Sequence, residues 1–254
     1  MIGVFDSGVG GLSVLGEIRR ALPHADLTYV ADRGRSPYGV RELGEVQQFS
    51  AEISQWLIDR GATTLVVACN TASAAALEML RAQHPGIPIV GMEPAVKPAA
   101  ASTGTGVIAV FATAVTFQGR LFGSLVDRYG SGATVLTRAC PSWVELVESG
   151  TVDGAKAESV VSEQVTPAVE AGADTLVLGC THFSFLAGLI QRIAGPGVTV
   201  IDPAPAVARQ TARVALAIDG KGGLTMAASG DRRRFAELAA TVGGFRTGDI
   251  VAFP

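Results

Sequence analysis

Two cysteines stand in matched surroundings, Ala68-Cys69-Asn70-Thr71 and Gly179-Cys180-Thr181-His182, each where a short apolar run gives way to a helical pattern. A thiol at such a strand-to-helix junction meets free N–H groups and the positive end of a helix, which lower its pKa from a reference of about 8.5. A lone buried cysteine is usually a small hydrophobe. These two, however, sit inside a repeat: LVVACNTASAAALEML at 65–80 and LVLGCTHFSFLAGLIQ at 176–191 align without a gap. Their separation is far longer than a solenoid period, so they mark two similar halves that each contribute one thiol. Two equivalent acid/base groups facing one point suit a reaction that removes a proton from one face of a carbon and returns one to the other. The rival chemistries are metal binding and a Cys-His hydrolase. With no C-x-x-C, no H-x-x-x-H and only His24, His84 and His182, no metal site is expected. A hydrolase built on Cys180 and His182 fits the spacing but leaves the second thiol without a task. Cys140, in ACPSWVEL, lies outside the repeat and reads as a packing residue.

Three further motifs carry polar chemistry. In GVFDSGVGGLSVL at 3–15 a strand ends at Asp6-Ser7-Gly8 and a helix follows Gly10-Gly11, so the glycines turn the backbone and expose N–H groups to an anion. The alternative is a plain turn with Asp6 or Ser7 as the helix cap. Ser13 replaces the last glycine of a dinucleotide fingerprint and no Gly-Lys-Ser/Thr is present, which weakens both nucleotide readings. In ADRGRSPYGV at 31–40, Asp32 follows a strand and Pro37-Tyr38-Gly39 form a turn, facing a ligand crevice or packing Tyr38 on the surface. In GVIAVFATAVTFQGRLF at 106–122, Thr113 and Thr116 open a helix, as a carboxylate site or as its cap.

The elements that must position these groups follow from hydrophobic periodicity. Strands are expected at 2–5, 27–31, 64–68, 87–91, 106–111, 133–138, 175–179 and 198–202. Helices are expected at 12–22 and about 41–60, 71–83, 117–129, 155–171, 184–194 and 204–218. The alternation is that of βα units with mainly parallel sheets, in two α/β domains. MEPAVKPAAASTGTG at 92–106 reads as one crossover and IDPAPAV at 201–207 as the other, with Pro203 and Pro205 interrupting regular structure. The first domain is then 1–95 plus 207–254, and the second 96–206. The 254 residues are 48% hydrophobic, with 20 Lys and Arg against 23 Asp and Glu and a net charge of −3, which excludes a dense basic nucleic-acid surface. No apolar run is long enough for a membrane span and no signal peptide is expected, while three scattered cysteines do not make a disulfide framework. A reducing cytoplasm is the expected setting.

FDSGVGGL, DRGRSPYG, VVACNTAS, VGMEPAVKPA, ATAVT and LGCTHFSFL, in this order and spacing, resemble the glutamate racemase family, over residues from about 2 to about 215. The resemblance implies two doubly wound α/β domains related by a pseudo-twofold axis, with the active site between them. It implies cofactor-independent racemisation that supplies D-glutamate for bacterial peptidoglycan. Cys69 would take the α-proton from D-glutamate and Cys180 from L-glutamate, with Asp6 and His182 as the polar groups beside them. Ser7, Pro37, Tyr38, Gly39, Asn70, Thr71, Thr113, Thr116 and Thr181 match positions that bind the substrate's carboxylates and ammonium, and Glu148 falls near the site. Neither nucleic acid nor membrane is an implied partner; a homodimer is compatible with the family, while the residues say nothing of oligomeric state. Three residues depart from the pattern: Arg33 where Thr or a small polar residue is usual, Ala109 in place of Gly, and Gly119 in place of Ser. A racemase for aspartate and a non-catalytic protein on the same scaffold are the alternatives.

Overall fold

A strand that is apolar at every position needs cover on both faces, which only helices on both sides of a parallel sheet provide. The computed structural model, which describes residues 1–254 apart from 119, 131, 217 and 247, has this arrangement twice. The chain runs β1 (Ile2–Asp6), α1 (Leu12–Ala21), β2 (Leu27–Ala31), a 3-10 turn at Tyr38–Val40, α2 (Leu43–Asp59), β3 (Thr64–Val67), α3 (Asn70–Gln83) and β4 (Ile89–Gly91). It continues through α4 (Val96–Ser102), β5 (Val107–Ala112), α5 (Ala114–Gln118), α6 (Arg120–Tyr129), β6 (Thr134–Ala139), α7 (Pro141–Ser149), α8 (Ala155–Glu170) and β7 (Thr175–Leu178). A 3-10 turn at Thr181–Leu186, α9 (Ala187–Ala194), β8 (Thr199–Ile201), α10 (Ala204–Val214), β9 (Leu224–Ala228), α11 (Arg232–Thr241) and β10 (Val251–Ala252) complete it.

One sheet has the order β10-β9-β2-β1-β3-β4 and the other β6-β5-β7-β8, and the pairings described are all parallel. The run β2-β1-β3-β4 repeats the order β6-β5-β7-β8, so the repeat read in the sequence is a repeat of topology. Cys69 lies two residues beyond β3 and Cys180 two residues beyond β7. Both therefore emerge at the carboxyl ends of the strands that neighbour β1 and β5, where open α/β sheets bind ligands. The C-terminal segment returns to the first sheet, with Leu27 of β2 registered against Leu224 of β9 and Val251 of β10 against Ala227.

Several expectations need correction. The crossover at 92–106 contains α4, and a helix at 117–129 is instead the pair α5 and α6, with Gly119 between them outside the described residues. The helix expected from 184 begins as the 3-10 turn and becomes α9 only at Ala187. Pro203 and Pro205 do not interrupt structure: Pro203 caps α10 and Pro205 lies in its first turn, where a missing N–H costs nothing. Pro141 likewise opens α7, a helix not expected at all. Among the described residues no helix is long and apolar enough to cross a membrane.

The two sheets share one continuous apolar cluster, which runs from Ile2, Val4 and Leu15 to Phe111, Trp143 and Phe183. Trp143 on α7 is its keystone: fully buried, with its ring stacked 5.0 Å from Phe111 of β5 and set edge-on 4.9 Å from Phe183, three residues after Cys180. Its Nε1–H donates to the Val160 carbonyl at 3.3 Å. The site-bearing turn after β7 is therefore held by aromatic packing. Trp143→Ala is expected to lower the free energy of unfolding by about 3–5 kcal/mol in urea titrations, the range for deleting a large buried aromatic. A loss under about 1 kcal/mol, as for a surface change, would contradict this role.

Candidate active site

The loop after β1 approaches the second half of the molecule closely, and its composition allows that. A Cβ on Gly8 would lie 2.0 Å from Glu148 Oε1, and one on Gly10 would lie 2.4 Å from both His182 Nδ1 and Thr181 Oγ1. Neither glycine has a positive φ, so what the motif supplies here is space rather than a left-handed turn. Two of the loop's N–H groups are also spoken for: Gly8 N–H donates to Asp6 Oδ1 at 2.7 Å and Val9 N–H to Glu148 Oε1 at 2.9 Å. The anion site anticipated at this turn thus receives two carboxylates of the protein itself. Neither Asp6 nor Ser7 caps α1, whose cap is Gly11. Asp6 is fully buried and accepts from Thr181 Oγ1 at 3.0 Å. Burial raises its carboxyl above the ordinary value against the pull of His182, Gly8 and Thr181.

Cys69 is the N-cap of α3 and accepts from Ala72 N–H at 3.4 Å, while its thiol donates to Ser7 Oγ at 3.8 Å. Burial nonetheless pushes the thiol up to about 12, assisted by the Asp6 charge and opposed by the Ala72 N–H and Ser7. The lowering expected from the helix terminus is therefore reversed here by desolvation. Cys180 caps the 3-10 turn rather than an α-helix, and its Sγ lies 3.7 Å from His182 Nδ1. His182 Nε2 in turn meets Glu148 Oε1 at 2.8 Å, and Arg33 Nε donates to Glu148 Oε2 at 3.2 Å. Burial works against a charge on His182, yet its bonds to Cys180 and Glu148 hold its pKa well above the ordinary imidazole range. Burial also opposes the Glu148 charge, but His182, Val9 N–H and Arg33 outweigh it and hold that carboxyl down at about 2. A cation is thus held beside the Cys180 sulfur. Cys140 is buried, its thiol pushed up to about 12 by burial and donating to the Arg138 carbonyl at 3.5 Å.

Both matched cysteines open into one cavity of about 200 Å³. This is smaller than the roughly 300–1,000 Å³ of sites for drug-sized ligands and suits a small metabolite. Of the residues anticipated from sequence, Ser7, Pro37, Tyr38, Gly39, Cys69, Thr71, Thr113, Cys180, Thr181 and His182 line it. Asp6, Asn70, Thr116 and Glu148 do not; they stand behind the lining. Thr71, Thr113 and Thr116 form a hydroxyl chain with steps of 3.0 Å that crosses between the two halves, and Thr113 Oγ1 also accepts from Thr116 N–H at 3.4 Å. Capping is therefore one function of Thr113, and lining the cavity is a second. Buried Asn70 has neither its Oδ1 nor its Nδ2 in a hydrogen bond with the described residues.

The turn that carries Tyr38 and Gly39 is anchored from below. Fully buried Asp32 accepts from Tyr38 Oη, from Arg35 Nε at 2.7 Å and from Ser229 Oγ at 2.7 Å. A Cβ on Gly39 would lie 2.9 Å from Thr113 Cβ, so the turn closes against the second sheet only because the residue is glycine. Val40, Ala114, Ala139, Pro141, Val144 and Glu145 also line the cavity and were not anticipated. The signal for the last three was the helical spacing of Trp143, Leu146 and Val147 behind Pro141. Arg33 engages Glu148 and is not part of the lining, and Ala109 is buried in β5 as a packing residue. Among the described residues no three His, Cys, Asp or Glu side chains gather as a metal site.

The family model described as Asp/Glu/Hydantoin racemase matches residues 2–211. A glutamate racemase from Roseiflexus sp. (strain RS-1) is 46% identical over 244 residues, 93% of this chain and 90% of that protein. The crystal structure of Escherichia coli glutamate racemase in complex with L-glutamate and the activator UDP-MurNAc-ala superposes with a TM-score of 0.88 at 29% identity, covering 99% of this chain and 96% of that one. The RacE1 isoform from Bacillus anthracis gives 0.86 at 33% identity, covering 100% and 96%.

The raised Cys69 thiol has a direct consequence for reactivity, since only the thiolate is alkylated rapidly. In the unliganded protein, iodoacetamide labelling of Cys69, followed by peptide mass spectrometry, is expected to keep accelerating from pH 7 through pH 10. A plateau reached below pH 8 would show a thiol that ionises early.

Proposed function

The chain belongs to the Asp/Glu/hydantoin racemase family, and we propose that it interconverts L- and D-glutamate without a cofactor, with Cys69 and Cys180 as opposed acid and base. The D-glutamate so formed would supply peptidoglycan synthesis. The observation that carries this reading is the pair of thiols at equivalent ends of two sheets, opening into one small cavity.

In the D-to-L direction the Cys69 thiolate takes the α-proton from one face, and the Cys180 thiol delivers a proton to the other. In the reverse direction the roles exchange. The α-hydrogen of an amino acid is weakly acidic, so the developing carbanion depends on fixed dipoles around the α-carboxylate. The Thr71 and Thr113 hydroxyls on the cavity wall would serve as donors to the carboxylates, with the unpaired Asn70 amide behind them; the Thr181 hydroxyl donates to Asp6 and offers the substrate only its lone pairs. Ser7, with Asp6 behind it, is placed for the ammonium. A substrate ammonium beside Cys69 also brings the positive charge that offsets burial, so the thiolate forms when the substrate is present to use it. The Tyr38–Val40 turn and the start of α7 shut out water, which strengthens each of these interactions.

Racemisation of L-glutamate is followed by circular dichroism without added cofactor. Cys69→Ala and Cys180→Ala are each expected to lose at least about 100-fold in turnover while remaining folded, the lower range for removal of a general acid or base. Cys140→Ala is expected to stay near wild type. Aspartate, one methylene shorter, misplaces the reacting carbon by on the order of 1 Å and should be turned over at least about 100-fold less well. Near-normal racemisation by either single variant would overturn the two-thiol assignment, and faster turnover of aspartate would move the substrate to that neighbour.

A further inference from the structure

The Glu148 carboxylate is shared unevenly. Oε1 takes both the Val9 N–H and His182 Nε2, whereas the hydrogen bond to Oε2 comes from Arg33 Nε. Arg33 stands in the loop after β2, 115 residues from Glu148 in sequence, and its side chain is only 16% exposed against 19% for the glutamate. Its other end is fixed as well: Nη1 donates to the Asp231 carbonyl at 3.4 Å, and Asp231 caps α11. Arg234 of that helix donates to the Ser149 carbonyl at 2.8 Å, immediately after Glu148. A carboxylate gripped on one oxygen alone can rotate about its Cγ–Cδ bond. Gripped on both, it presents Oε1 to the imidazole in one orientation.

We propose that Arg33 is a positioning residue for the Cys180 half of the site, acting through Glu148 to hold His182 as the cationic partner of that sulfur. The inference rests on the two-thiol reading above and deepens it. Arg33 does not line the cavity, and it reaches the thiol only through Glu148 and His182. The charged and titratable groups around His182 are few. Asp6 faces it from the end of β1, Glu148 from α7, Cys180 from its own turn, and Arg33 stands behind Glu148. On the other elements packed there, Glu17 of α1 is paired with Arg20, Arg192 of α9 with Asp153, and Glu145 of α7 lines the cavity.

The consequence is directional. The form of the enzyme that takes a proton from L-glutamate carries the negative charge on Cys180 and depends on the cationic His182. Weakening that partner depletes this form, and apparent affinity falls with the competent fraction. Because the two enantiomers have equal free energy in solution, kcat/KM must fall by the same factor in both directions. The loss then divides differently: KM rises for L-glutamate, while kcat falls for D-glutamate.

The test compares wild type with Arg33→Thr and with Arg33→Gln, which keeps a donor without the charge. The chain has three histidines, so His182 is assigned by difference from His182→Asn, and His24 and His84 serve as internal controls in imidazole NMR titrations of the unliganded protein. The His182 midpoint is expected to fall by about one pH unit or more in Arg33→Thr and by less in Arg33→Gln. Kinetics are expected to show the KM rise with L-glutamate and the kcat fall with D-glutamate. An unchanged or raised midpoint would overturn the proposal, because removing a positive charge that acted only through space would raise it. Equal changes of kcat and KM in the two directions would also overturn it. If wild type racemises neither enantiomer, the proposed function fails, while the histidine titration still decides the positioning role.

Discussion

The carboxylate of Glu148 is where the two halves of the molecule meet chemically. It belongs to α7, accepts an N–H from the loop after β1 and an arginine from the loop after β2, and holds the histidine that follows Cys180. A carboxylate with three such partners is worth more than an exposed ion pair, because every donor is fixed and largely out of water. The constraint propagates outward. Gly8 and Gly10 must lack a Cβ to let the loop come this near, and α7 must be rigid, which its buried Trp143 between Phe111 and Phe183 provides. The return of the C-terminal segment to β2 brings Ser229 under Asp32 and Asp231 under Arg33, so distant sequence braces the loop after β2.

Burial sets the electrical character of the site more than helix dipoles do. Cys69 sits at a helix N-terminus with an N–H directed at its sulfur, and desolvation still prevails. Asp6 is raised for the same reason. On the other half the balance is opposite: specific partners overcome burial and keep His182 and Glu148 charged. Two thiols placed alike by the fold therefore face unlike surroundings, one lined by hydroxyls and the other by an imidazolium. That asymmetry suits a pair in which one sulfur carries the proton and the other the charge, with substrate deciding which.

The first eight strands were legible in the sequence because full burial in a parallel sheet demands unbroken apolar runs, as at Leu27–Ala31, where expectation and structure coincide, whereas β9 and β10 were not anticipated. Short helices were not: α4 has seven residues and lies among prolines and threonines, and α7 was hidden between a cysteine and a glycine. Pro203 misled because the ring that breaks a helix interior also suits its start. The thiols stood out because a repeat makes each one's place a control for the other. Partners that act across long sequence separation, such as Arg33 with Glu148 or Ser229 with Asp32, have no local pattern to reveal them. Arg33 was noticed only as a departure from the family's pattern; its partner is Glu148.

The account turns on two bases that work on opposite faces of one carbon, and hydrogen isotope tracing tests this most directly. L-glutamate is incubated with the enzyme in deuterium oxide, the reaction is stopped early, and the α-position of each separated enantiomer is read by mass spectrometry. Two opposed thiols predict deuterium in the D-glutamate formed while the remaining L-glutamate still carries protium, because the proton delivered comes from a different sulfur than the one that took it. Early deuterium in the recovered L-glutamate to the same extent as in the product, or product formed with its original hydrogen retained, would contradict it.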